Sequence, residues 1–160
     1  MSPELDPTEQ VLESLNEALK AELTAIHQYL LHAKVCQNWG YSRLAEYNRK
    51  ESIEELAHAE ALMDRILALG STPNMTDLSA IEDCADVKKQ LESDLALELD
   101  AVARLNNAVK IATAASDNVS SQLFAKILVD ESNHVDHLEG QLHVIKEIGL
   151  ANYLAQQINN

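Results

Sequence analysis

Along four stretches of the chain, positions suited to face inward recur at alternating spacings of three and four residues, the period of helices that each bury one stripe. The first stripe is Leu12, Leu15, Leu19, Glu22, Ile26, Tyr29 and Ala33. The second is Asn48, Ser52, Glu55, Ala59, Leu62, Ile66 and Leu69, with His58 one turn beyond Glu55. The third is Val87, Leu91, Asp94, Glu98, Ala101, Leu105 and Ala108, and the fourth is Phe124, Ile127, Glu131, His134, Leu138 and Ile145. The first, third and fourth stripes are apolar at both ends and the second at its C-terminal end, and each carries a carboxylate near its middle.

Local signals set the boundaries. Asp6, Pro7 and Glu9 form a helix start, with Asp6 as N-cap, Pro7 at the first helical position and Glu9 completing a capping box. Helix one then runs to about Trp39 and stops at Gly40. Helix two spans Tyr41 to about Leu69 and ends at Gly70, before the turn-rich "STPN". Helix three extends from about Asp86 to Ala115, "SDN" at 116–118 breaks the chain, and helix four continues to about Ile148. Gly149 precedes a short tail helix over about 150–158. The 16 residues from Gly70 to Ala85 reach roughly 50 Å when extended. A helix two of 29 residues is roughly 43 Å long, so the connection returns along the bundle and starts helix three parallel to helix two. The predicted fold is all-α: one domain over residues 1–160, a four-helix bundle at about 6–148 with one long crossover, and a short fifth helix.

Composition agrees and narrows the function. Four glycines, three prolines and 46% hydrophobic residues in a chain of 160 suit a helical domain with one core. Twelve basic against 26 acidic residues give a net charge of −14, which repels nucleic acid and anionic lipid and attracts cations. No apolar run approaches the roughly 20 residues of a membrane span, and the start "MSPELDPTEQ" is acidic rather than signal-like, so a soluble, cytoplasmic protein is expected. Cys36 and Cys84 stand apart, without a CxxC pair, and read as reduced thiols.

The mid-stripe carboxylates demand an explanation. Desolvating a buried glutamate costs several kcal/mol per ion, and four such costs rival the roughly 5–15 kcal/mol stability of an ordinary domain. Glu22 and Glu98, Glu55 and Glu131, and His58 and His134 are each separated by 76 residues, so the second half of the chain repeats the polar pattern of the first. Folding the halves about a pseudo-twofold axis gathers four carboxylates and two imidazoles at mid-bundle. Two divalent cations balance that set, and its oxygen and nitrogen donors suit iron or manganese.

The stretches "AELTAIHQYLLHA", "ESIEELAHAE", "SDLALELD", "DESNHVDHLE" and "IGLANYLAQQI" resemble those of bacterioferritins over almost the whole chain. The resemblance implies that Glu22 and His58 ligate one iron, that Glu98 and His134 ligate the other, and that Glu55 and Glu131 bridge them. It further implies a ferroxidase that oxidises Fe(II) with O2 or H2O2, two irons per subunit, and ferric mineral stored inside a shell of 24 subunits. In the family the tail helix sits at a fourfold pore, and a ferredoxin-like partner supplies reductant. Tyr29 and Asp94 are candidates to orient ligands by hydrogen bonding.

Three positions depart from the family pattern. Leu56 replaces the methionine that ligates haem, which removes bis-methionine haem b binding by two copies of this chain; Met63 is too far along the helix to substitute. A haem-free homopolymer or co-assembly with a haem-binding bacterioferritin chain is then expected. Lys50 stands where some relatives carry a histidine that binds iron with the carboxylate at Glu54. His137 stands where tryptophan is common. Competing readings are a non-storage di-iron oxidase or peroxidase, a manganese catalase-like enzyme, a DNA-protecting mini-ferritin and a non-catalytic bundle. The mini-ferritin places its ligands between subunits, and the bundle leaves six ionisable seam residues uncompensated.

Overall fold

The computed structural model describes residues 6–82 and 85–158. Its helices are α1 (Pro7–Trp39), α2 (Ser42–Ala68), α3 (Val87–Ala114), α4 (Asn118–Ile148) and α5 (Leu150–Ala155). Cys84 lies outside the described residues, whereas Cys36 is a buried thiol.

The boundary chemistry matches the sequence signals closely. Asp6 accepts from the Thr8 and Glu9 amides while Glu9 accepts from the Asp6 amide, closing the expected capping box. Gly40 takes a left-handed φ of 87° and turns α1 into α2. Asp86 caps α3 through the Lys89 amide. Asp117 caps α4 through the Ser120 amide and also accepts from Arg65 at 2.8 Å, tying the α4 start to the α2 end. Burial raises the Asp117 pKa, but Ser120 and Arg65 outweigh it and hold the carboxyl below its usual value.

α5 is shorter than expected. The chain turns after Ala155, and the Gln157 carbonyl accepts from the Arg43 amide at 3.0 Å. Arg43 lies in the first turn of α2, where amides have no partner within the helix, so the tail caps α2 instead of continuing its own spiral. Tyr153 anchors this short helix, buried to 2% exposure with its hydroxyl donating to Gln141.

Helix directions follow from named contacts. Cys36 meets Gln90, and Gln28 meets Asp94, so α1 ascends as α3 descends. The crossover climbs beside α1: Asn16 accepts from the Asn74 amide, Lys20 pairs with Asp77, and Thr24 accepts from the Ser79 amide. That path delivers α3 parallel to α2, as predicted. α1 packs on α2 and α3, and α3 packs on α4, while α2 and α4 meet only lightly.

Two apolar clusters result. One joins Leu15, Leu19, Leu62, Ile66, Leu105, Phe124 and Ile127; the other joins Cys36, Leu44, Val87, Leu91, Leu138, Ile145 and Tyr153. The buried carboxylates lie in the layer between them. Packing above and below fixes the backbone there without needing apolar contacts inside the layer.

Candidate metal centre

Each helix contributes its mid-stripe acid to that layer. Glu22, Glu55, Glu98 and Glu131 are buried to 3% exposure or less. Glu55 and His58, like Glu131 and His134, are three residues apart on one helix, so both side chains of each pair address the same neighbour.

The six predicted residues form two groups that share a pair. Donor atoms of Glu22, Glu55, His58 and Glu131 all lie within 4.8 Å of one another, as do those of Glu55, Glu98, Glu131 and His134. Glu55 and Glu131 belong to both groups. The geometry therefore sets these two between the halves.

Both imidazoles are oriented alike. His58 Nδ1 faces inward, 3.0 Å from Glu55 and 3.1 Å from Glu131, while Nε2 is 3.1 Å from Asp130 on the outer side. His134 Nδ1 lies 3.3 Å from Glu55 and 3.4 Å from Glu98, and its Nε2 lies 3.3 Å from Glu54 and 2.9 Å from Glu51. A carboxylate at Nε2 keeps the proton there and leaves the Nδ1 lone pair for a cation, the usual arrangement behind metal-ligating histidines. None of the three outer contacts was expected from sequence. Asp130 and Glu54 directly precede Glu131 and Glu55, and Glu51 lies one turn before Glu55.

The donor set fits a cation better than it fits itself. Glu55 Oε1, Glu98 Oε2, Glu131 Oε1 and His134 Nδ1 are buried without a hydrogen-bond partner among the described residues, although opposite groups approach Glu55 Oε1, Glu131 Oε1 and His134 Nδ1 within 4 Å. Those approaches lack hydrogen-bond alignment. Orphaned buried polar atoms cost about 1–3 kcal/mol each, more when charged, and divalent ions would satisfy all four.

Protons compensate the set when no cation does. Burial raises the Glu22 pKa well above normal, with Glu55 adding to the rise and His58 opposing it. Burial likewise pushes Glu131 up to about 10, reinforced by Glu98, Glu22 and Glu55 and opposed by His58. For Glu55 burial is outweighed by His134, His58 and Glu22, and the carboxyl is held well below its usual range. Burial disfavours charge on both imidazoles, but the surrounding glutamates overcome it and hold His58 and His134 protonated far above their ordinary value.

Tyr29 donates from its hydroxyl to Glu98, a direct hold on one predicted ligand. Asp94 instead accepts from Gln28 at 2.7 Å and pairs with His32 at 3.0 Å. Its partners are thus on α1 rather than among the six. His32 and Gln28 are buried polar residues that the stripe analysis missed.

A cavity of about 530 Å³ opens between α2 and α4 and reaches His58 and His134, with Glu54 and Asp130 at its wall. It lies where those two helices pack lightly, so the same splay that weakens their contact leaves a route to the centre. His137 lines it and stacks on Tyr47 with centroids 4.4 Å apart. Lys50 pairs with Glu54 at 3.4 Å near the mouth.

A model of the ferritin-like domain family matches residues 12–148. A bacterioferritin from Mycolicibacterium paratuberculosis is 42% identical over 150 residues, covering 94% of each chain. The chain belongs to the ferritin-like family, in its bacterioferritin branch. A Streptomyces coelicolor bacterioferritin is 43% identical over 149 residues, 93% of this chain and 89% of the relative. One from Brucella melitensis is 43% identical over 144 residues, 90% and 89% respectively.

The haem of bacterioferritins does not fit the residues of this member. Leu56 is 47% exposed on the outer face of α2 and has no donor atom. Met63 is partly buried and packs against the first apolar cluster. Among the described helices none is long and apolar enough to cross a membrane.

Proposed function

We propose that this chain is the ferroxidase and iron-storage subunit of a bacterioferritin cage, with Fe(II) as substrate. The observation that carries the reading is the pair of buried donor groups sharing Glu55 and Glu131. Glu22 and His58 would hold one ferrous ion, Glu98 and His134 the other, and the shared glutamates would hold both. Two ferrous ions supply one electron each, which reduces O2 to H2O2 with two protons. Carboxylate oxygens favour Fe(III) over Fe(II), and pairing the electron donors avoids a one-electron product.

The protein's own work is to orient donors and to manage protons. Nε2 of each histidine is kept protonated by its outer carboxylate, so Nδ1 is presented to substrate. Protons on Glu22 and Glu131 leave as cations enter. Their carboxyls are raised, burial being the main cause, so cation entry competes with protonation. Apparent affinity for Co(II), an air-stable probe, will therefore rise as pH rises from about 5 to 8, with proton release measurable in weakly buffered solution.

A shell of 24 chains, haem-free or co-assembled with a haem-binding bacterioferritin chain, and a cytoplasmic setting complete the reading. The acidic composition suits a container for cations. The direct test adds Fe(II) aerobically to metal-free protein, follows ferric absorbance, and asks by size exclusion whether excess iron co-elutes with a large shell. Fast oxidation with retained iron is expected. Oxidation of two irons per chain without retention would replace storage by a non-storage oxidase, and no fast oxidation would remove the ferroxidase.

A further inference from the structure

The centre has a pseudo-twofold repeat, and the structure extends it. Glu54 and Asp130 share the 76-residue separation of the six ligands, and each accepts from Nε2 of the histidine in the other half. The surroundings break the repeat. At the same separation Glu51 is matched by Ile127, Tyr29 by Leu105, Asp94 by Ala18 and His32 by Ala108. Those four counterparts all belong to the first apolar cluster. Of the extra polar groups, Glu51 attends His134 and Tyr29 attends Glu98, whereas their counterparts Ile127 and Leu105 are core hydrocarbon.

We propose that the two metal positions are inequivalent: the Glu98/His134 position fills first and tightly, and the Glu22/His58 position fills second and exchanges readily. This rests on the di-metal reading above. Three features favour the first position. Glu51 is 2% exposed and places Oε2 2.9 Å from His134 Nε2, without hydrogen-bond alignment, so a second carboxylate, this one buried, lies against that imidazole in addition to Glu54. Among the described residues His58 has Asp130 alone at its Nε2, and the Asp130 side chain is 45% exposed, where water screens its charge. Tyr29, 1% exposed, fixes Glu98 by its hydroxyl, while Leu105 offers Glu22 no such donor. Outer partners of this kind change metal affinity by about 10- to 100-fold. In a cage that loads and empties, a retained ion beside an exchanging one would keep half of the centre assembled between turnovers.

Co(II) titration of the metal-free full-length protein, read by calorimetry and visible absorbance, tests this without turnover. Two steps separated by about 10- to 100-fold are expected. Glu51→Gln should weaken the first step toward the second, and Tyr29→Phe should do so to a smaller extent. Glu22→Ala should leave one tight site, whereas Glu98→Ala should leave one weak site. Two equal sites in the native chain, or equal affinity in Glu22→Ala and Glu98→Ala, would overturn the inequivalence and leave the di-metal reading standing. Failure to bind two Co(II) per chain at saturation would overturn both. Circular dichroism of each variant separates lost affinity from lost fold.

Discussion

Glu131→Ala or Glu98→Ala should abolish the proposed fast Fe(II) oxidation while the helices and their association persist. Glu131 is shared by both donor groups, so its removal strips one ligand from each metal position at once. Glu98 serves one group only, and its loss leaves a site for a single ion that cannot deliver two electrons together. Losing even an outer-shell partner typically costs about 10- to 100-fold, so initial rates should fall by at least about 100-fold in either variant. The fold should tolerate the change because the two apolar clusters, not this layer, supply its packing. Stopped-flow ferric absorbance reads the rate, with circular dichroism and size exclusion as controls. Initial rates equal to those of the native chain would reject the six-residue assignment.

The clustering of these six residues was legible because two independent patterns coincide on them. Each occupies or adjoins a helical stripe that should be apolar, and each recurs at the same separation in the second half of the chain. Burial of all four glutamates follows from the stripe alone. The capping box at Asp6 and Glu9 was equally plain, since it depends only on neighbours in sequence. What escaped was set by tertiary contact. Glu51, Glu54 and Glu55 lie within five residues in "ESIEE", and composition does not say which turn inward. The available clue was that Glu51 stands four residues before Glu55 and so shares its face. Similarly, His32 lies one turn after Tyr29, but its pairing with Asp94 depends on the height at which α3 passes α1. The crossover sets that height through its contacts with Asn16, Lys20 and Thr24. The length of α5 was overestimated for the same reason: a long-range bond from Arg43 to Gln157 ends it.

The second large effect is on stability, and its sign follows from the same carboxylates. Glu131 has its folded pKa raised to about 10, chiefly by burial, and Glu22, His58 and His134 are also raised. A group with a raised folded pKa contributes stability that is complete below its unfolded value and is lost as pH climbs toward the folded one. For the glutamates the loss begins near an unfolded pKa of about 4.3, and for the histidines near about 6.5. Glu55 is shifted the other way, but its window lies below the ordinary carboxylate range and does not act near neutrality. Metal-free protein should therefore melt at progressively lower temperature from about pH 5 to pH 8. Replacing Glu131 by Gln removes a titrating group while keeping its shape, so the metal-free variant should melt above the native chain at pH 8 and show a flatter pH profile. Cations reverse the ranking. At about a hundredfold excess over its dissociation constant each bound ion adds about 2.7 kcal/mol, and at about 2–4 °C per kcal/mol two ions raise the native melting temperature by on the order of 10–20 °C. Glu131→Gln should show a much smaller rise. Scanning calorimetry with and without Co(II), across that pH range, decides the matter. A metal-free native chain as stable at pH 8 as at pH 5, or a variant that gains as much from Co(II) as the native chain, would show that the buried acids are not held in reserve for metal.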